Sequence, residues 1–135
     1  MDNIVLNPQD VVKLKGYLQS FTSDSGVQAA VLVSRSGFVI ARAGEFGQVD
    51  PNALAVISAA GVSSTQALAT TIGEKKFPAI TYQGTFQNLH IQVITEKAFV
   101  IALAASSVTS SVVRLYAREL TKDMLPIIER IFAGK

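Results

Sequence analysis

His90 is the only histidine in this chain of 135 residues, and cysteine is absent. Those two counts bound the chemistry. With no second histidine and no thiolate, a zinc site of the usual nitrogen–sulfur type cannot be assembled. Disulfides and thiolate catalysis are excluded on the same count, which fits a reducing compartment. A serine nucleophile would need His90 as its base, and no Gly-x-Ser-x-Gly turn presents one. Ser106, Ser107, Thr109, Ser110 and Ser111 precede an apolar periodic stretch and read as helix-capping residues. Glu119 and Asp123 stand four apart on one helical face, a spacing common on solvated helices and weak evidence for acid–base work. Glu74 and Glu96 read as solvated ends. Neither the GxxxxGK[ST] nor the GxGxxG phosphate-binding pattern occurs. His90 lies between Leu89 and Ile91 in an alternating stretch and reads as a solvated sheet-face residue. The expectation is a protein that binds and does not catalyse, with no cofactor and no metal.

The elements that must carry such a binding surface can be read from periodicity. Between Asp50 and Glu74 there is no charged residue, and PNALAVISAAGVSSTQALATTIG reads as one long helix. Asp50 is a natural N-cap, Pro51 fits the first helical position, and Gly73 supplies a left-handed stop. At 100° per residue Leu54, Ile57, Gly61, Leu68 and Ile72 gather on one face, read as the core stripe. The opposite face holds Ala59, Ser63, Gln66 and Thr70, flanked by Val56, Ala60 and Ala67. It is small, smooth and nearly apolar, the kind of surface that lets a partner approach closely. Asn52, Ser58, Ser63, Ser64, Thr65, Gln66, Thr70 and Thr71 put too many polar groups in this stretch for hydrocarbon. No membrane insertion is expected. MDNIVLNPQD lacks the basic start and apolar centre of a signal peptide, so a cytoplasmic protein is expected.

Around that helix the chain alternates hairpins and helices. Asn7-Pro8 opens a first helix with Val11, Leu14, Leu18 and Phe21 on one face. Val27–Ser34 and Phe38–Ala43 are apolar runs joined by the tight turn Arg35-Ser36-Gly37. Phe77–Tyr82 is a strand with Pro78 near its start, which points to a sheet edge or a strand beginning. Residues 89–94 form a further strand, Glu96-Lys97 a turn, and Ala98–Ala105 an apolar central strand. The last helix starts near Ser106–Thr109, with a stripe of Val113, Tyr116, Leu120, Met124, Ile127 and Ile131 that Pro126 should kink or weaken. The order helix, two strands, helix, three strands, helix implies an α+β domain spanning 1–135 with a mostly antiparallel five-stranded sheet.

Composition adds a partner. Hydrophobic residues are 49% of the chain and charged ones 16%, against about 25% charged in an average soluble domain. A second subunit is the simplest cover for that apolar excess. The net charge of +2 is mild and the basic residues are scattered, so nucleic acid is not expected as a partner.

Two strings carry a family resemblance. GVQAAVLVSRSGFVIARAG, Gly26 to Gly44, resembles the opening hairpin of the roadblock/dynein light chain family. TIGEKKFPAITYQG, Thr71 to Gly84, and Val113-Arg114-Leu115 are similar to the bacterial MglB branch. The likeness runs from about Asp10 onward and rests on the order and spacing of these strings. An acidic residue frequent after the first strand of the family is replaced here by Ser34 or Arg35. The resemblance implies a roadblock (profilin-like, longin-like) α-β-β-α-β-β-β-α sandwich. It implies a homodimer whose central helices lie side by side and whose sheets join edge to edge. Val56, Ala59, Ala60, Ser63, Gln66, Ala67, Thr70, Phe77, Ala79 and Thr81 are the expected interface residues, toward the second copy or toward another partner. It also implies a small Ras-like GTPase of the MglA type as partner, whose hydrolysis is accelerated by remodelling of its own switch regions. The alternative is an adaptor that dimerises and holds other proteins.

Overall fold

The Asn7 side chain accepts from the Asp10 N–H at 2.9 Å, and the Asp10 carboxylate accepts from the Asn7 N–H at 3.3 Å. This reciprocal capping box starts helix α1 (Pro8–Ser25). The computed structural model describes residues 4–133. Leu14, Leu18 and Phe21 are buried along α1, on the expected face.

Strands β1 (Ala29–Ser34) and β2 (Val39–Gly44) follow as an antiparallel hairpin. Gly37 turns it with φ 93°, and a Cβ there would sit 3.1 Å from the Val56 Cα. Gly44 closes it with φ 89°, and any side chain would strike the Gln28 carbonyl and lie 2.7 Å from the Ala29 Cα. Next come α2 (Pro51–Thr71), β3 (Ala79–Gln83), β4 (Gln87–Thr95), β5 (Ala98–Ala105) and α3 (Ser110–Ala133). The five strands form one sheet in the order β2-β1-β5-β4-β3, every pairing antiparallel. β3 is thus an edge strand, and Pro78 stands just before its first residue, at a strand beginning.

Alternation along the strands sorts the core into two layers. Ala30, Leu32, Val100 and Ala102 face α1 and α3, where Leu120, Met124, Ile128 and Ile131 pack. Val31, Val33, Ile91, Val93, Phe99 and Ile101 face α2. Helix α3 runs unbroken through Pro126, whose missing N–H weakens one turn that the buried Met124, Ile127 and Ile128 hold in place.

The rotation of α2 differs from the expected one. Ala55, Ser58, Ala59, Val62 and Ala69 are buried against the sheet, while Ile57, Leu68 and Ile72 are 71%, 58% and 63% exposed. The sheet layer beneath α2 is already filled by large side chains, Phe99 and Ile101 among them. Small residues on the helix let its backbone settle onto that layer, and larger ones would hold it off. The large stripe is therefore turned to one flank. In length, mean hydropathy and lack of charge α2 would pass for a membrane span, yet here it lies on the sheet with its polar residues interspersed.

Candidate functional site

Helix α2 presents two unlike flanks. The first carries Ile57, Leu68 and Ile72, and it lies beside β3. Tyr82, on the same sheet face, approaches Gly61 so closely that a Cβ there would be 3.6 Å from its hydroxyl. Tyr82 is itself 46% exposed. An apolar helix flank and an open strand edge thus adjoin.

The second flank carries Val56, Ala60, Ser63, Ala67 and Thr70, all exposed. Arg35 reaches it from the β1–β2 turn. One guanidinium nitrogen of Arg35 donates to the Glu96 carbonyl at 3.0 Å and the other to Ser63 Oγ at 3.3 Å. Its Nε is buried without a hydrogen-bond partner. Near the helix end, Gln66 Nε2 donates to the Phe77 carbonyl at 3.1 Å and Gln66 Oε1 accepts from the Phe77 N–H at 3.3 Å. This two-point brace ties α2 to the segment leading into β3.

The ten residues expected to form one interface are therefore divided. Val56, Ala60, Ser63, Ala67 and Thr70 share an exposed flank. Ala59 does not join them: it is buried against the sheet, at the margin of the stripe of Ala55, Val62 and Ala69 that seats the helix. Gln66 and Phe77 are engaged with each other. Ala79 and Thr81 pair with Gln92 and His90, which puts them on the opposite sheet face from α2, at the same edge. Ile57, Leu68, Ile72 and Tyr82 lie outside that expected set and are exposed at or beside β3. The signal for the three helical ones is the large apolar stripe, which periodicity alone assigns to the core.

His90 is not solvated but buried, because α3 covers its side of the sheet. Its Nδ1 is 3.1 Å from Thr81 Oγ1 and its Nε2 3.1 Å from Gln92 Oε1. Burial pushes its pKa down from 6.5, the Gln92 hydrogen bond opposes this, and the nearby Arg114 charge adds to the lowering. Both nitrogens are satisfied in the neutral form, so the imidazole works as a cross-strand link. Among the described residues, no three His, Cys, Asp or Glu side chains converge.

Three helices around a five-stranded antiparallel sheet, in this element order, define a roadblock-type, profilin-like α+β protein. The chain belongs to the Roadblock/LC7 domain family, whose model matches residues 15–105. Among solved structures it is similar to MglB of Myxococcus xanthus, at 23% identity and TM-score 0.87, covering 95% of this chain and 96% of that one. It is also similar to the gliding protein MglB of Thermus thermophilus, at 23% identity and TM-score 0.88, covering 96% and 98%. A Roadblock/LC7 domain from Streptomyces avermitilis aligns at 15% identity and TM-score 0.77, over 84% and 96%. Among curated proteins none matches by sequence.

Proposed function

We propose that this protein is a cytoplasmic homodimeric regulator of a small Ras-like GTPase of the MglA type. In this reading it speeds GTP hydrolysis by reshaping the partner's switch regions and inserts no catalytic side chain. The observation that carries the reading is the outer surface of α2, with large apolar side chains exposed beside an open strand edge and a second, smoother flank still free. The Ile57/Leu68/Ile72 flank and β3 supply a self-complementary seam, since two copies related by a two-fold axis would each offer a strand edge and an apolar helix flank. The Val56/Ala60/Ser63/Ala67/Thr70 flank then remains for the GTPase. Family membership and the likeness to the two MglB structures support this assignment.

The test is GTP hydrolysis by a Ras-like GTPase from the same genome, measured with and without this protein. Faster hydrolysis with a stable complex is expected. A stable complex without stimulation would instead make the protein a holding adaptor. The absence of both binding and stimulation with every such GTPase would overturn the reading.

A further inference from the structure

Beside the smoother flank of α2 lies a cleft of about 450 Å³, lined by Arg35, Gln66, Lys75, Lys76, Val93 and Glu96. Three cations and one carboxylate face it. Among the described residues, no carboxylate comes within 4.0 Å of Arg35, Lys75 or Lys76. The Arg35 guanidinium is held by two neutral oxygens, which orient it without neutralising it. Gln66 is held by the Phe77 backbone, so the wall of the cleft is braced as well. Lys75 and Lys76 lie on the exposed segment between α2 and β3.

We propose that this cleft receives an acidic segment of the GTPase partner, its carboxylates meeting Arg35, Lys75 and Lys76 beside the α2 flank. The proposal rests on the reading of that flank as the GTPase seat and adds the chemistry by which the partner is recognised. Charge complementarity commits the occupant: a basic or neutral segment would leave three cations uncompensated, and a carboxylate compensates them. Because Arg35 is already oriented, little of its side-chain freedom is lost on binding. The acidic segment also has a polarity. Glu96 repels carboxylates at its own rim, so the partner's charges must sit toward the lysines. Contacts of this exposed kind act mainly on association rate and on its salt dependence.

The experiment measures association with the GTPase identified in the hydrolysis assay, loaded with a non-hydrolysable GTP analogue, over a range of salt. Lys75→Glu with Lys76→Glu is expected to slow association about ten-fold at low salt and flatten the salt dependence. Glu96→Gln, with the opposite sign, is expected to strengthen binding about two- to five-fold. Lys13→Glu with Lys15→Glu makes the same change in net charge on α1, away from the cleft, and is expected to have a much smaller effect. All of these side chains are exposed, so folding is not at stake. Equal association by wild type and the Lys75/Lys76 variant would overturn the proposal while leaving the regulator reading intact. An equal loss in the Lys13/Lys15 variant would also overturn it, because net charge would then be the cause. So would dissociation of the homodimer in the Lys75/Lys76 variant, which would assign the cleft to the seam. Failure of the wild type to bind any GTPase would remove the regulator reading itself, and this proposal with it.

Discussion

The Arg35 guanidinium spans from the β1–β2 turn to α2, where it donates to Ser63 Oγ at 3.3 Å. Its other terminal nitrogen donates to the Glu96 carbonyl, so the side chain lies along the surface of its own protein. Arg35 is the one arginine at a turn tip, and this posture holds it back from projecting into a partner.

Loss of Arg35 should therefore lower stimulation of GTP hydrolysis modestly. An inserted finger contributes about 10³–10⁵ in rate, whereas one surface contact contributes about ten-fold, mostly in affinity. Single Ala variants of Arg35, Arg42, Arg114, Arg118 and Arg130, assayed at saturating concentration, should keep most of the wild-type turnover. One variant that binds normally but abolishes turnover would show that the chain supplies a finger.

Ala59 and Ser63 sit one helical turn apart and should respond oppositely to the same substitution. Ala59 is 7% exposed, so Ala59→Arg must force a guanidinium between helix and sheet, at a cost of at least about 3 kcal/mol. Ser63→Arg extends into solvent and should leave stability within about 1 kcal/mol while obstructing GTPase binding. Urea unfolding followed by circular dichroism reads the first effect, and partner binding the second.

Ile57 and Leu68 should hold the homodimer together. Their exposure in the single chain means that Ile57→Asp and Leu68→Asp remove nothing from the core. Each should weaken dimerisation by about 2 kcal/mol, roughly thirty-fold in Kd. Sedimentation of the double variant should show a folded monomer at concentrations where the wild type is dimeric. A wild type that is itself monomeric at tens of micromolar would sink the dimer.

His90 should make stability depend on mild acidity. Its pKa in the folded protein lies below the ordinary 6.5, so the unfolded chain takes up a proton that the folded chain resists. The stabilisation is complete above about pH 6.5 and is lost as pH falls from there toward the lowered folded value. The slope cannot exceed about 1.4 kcal/mol per pH unit, the limit for one proton. His90→Gln should flatten the melting temperature across this window. An unchanged slope would assign it to another group.

Asp10 and Arg130 join the start of α1 to the end of α3. Arg130 donates to Asp10 through both terminal nitrogens, one bond at 3.1 Å. That hydrogen bond is the main cause lowering the Asp10 carboxyl below the ordinary 3.8, and burial opposes it. The stabilisation is present above about pH 4 and is lost as pH falls through the lowered value. Asp10→Asn should therefore melt earlier than wild type at neutral pH, with the gap closing in strong acid.

Local signals in the chain are enough for the element order and for the N-caps of α1 and α2. Asn7, Asp50, Gly37 and the alternation in β4 and β5 each state a backbone preference that neighbouring residues alone decide, and each element forms where those signals put it. The start of β3 is also legible, because Pro78, just before it, has no N–H to give to a ladder. The rotation of α2 is not. Its sequence offers two apolar stripes, one of large residues and one of small, and periodicity cannot rank them. The ranking comes from the sheet: Phe99, Ile101 and their neighbours fill the layer below, so the small stripe fits and the large one is displaced to the flank. The burial of His90 escapes the sequence for a related reason, since only the arrival of α3 over β4 decides which face of that strand is dry. The basic cleft lies furthest from reach. Arg35, Gln66, Lys75 and Glu96 are scattered along the chain and meet only where two turns and a helix end converge. Backbone preference is local and was written in the sequence; which surfaces touch depends on volume and close approach, and only the folded chain decided that.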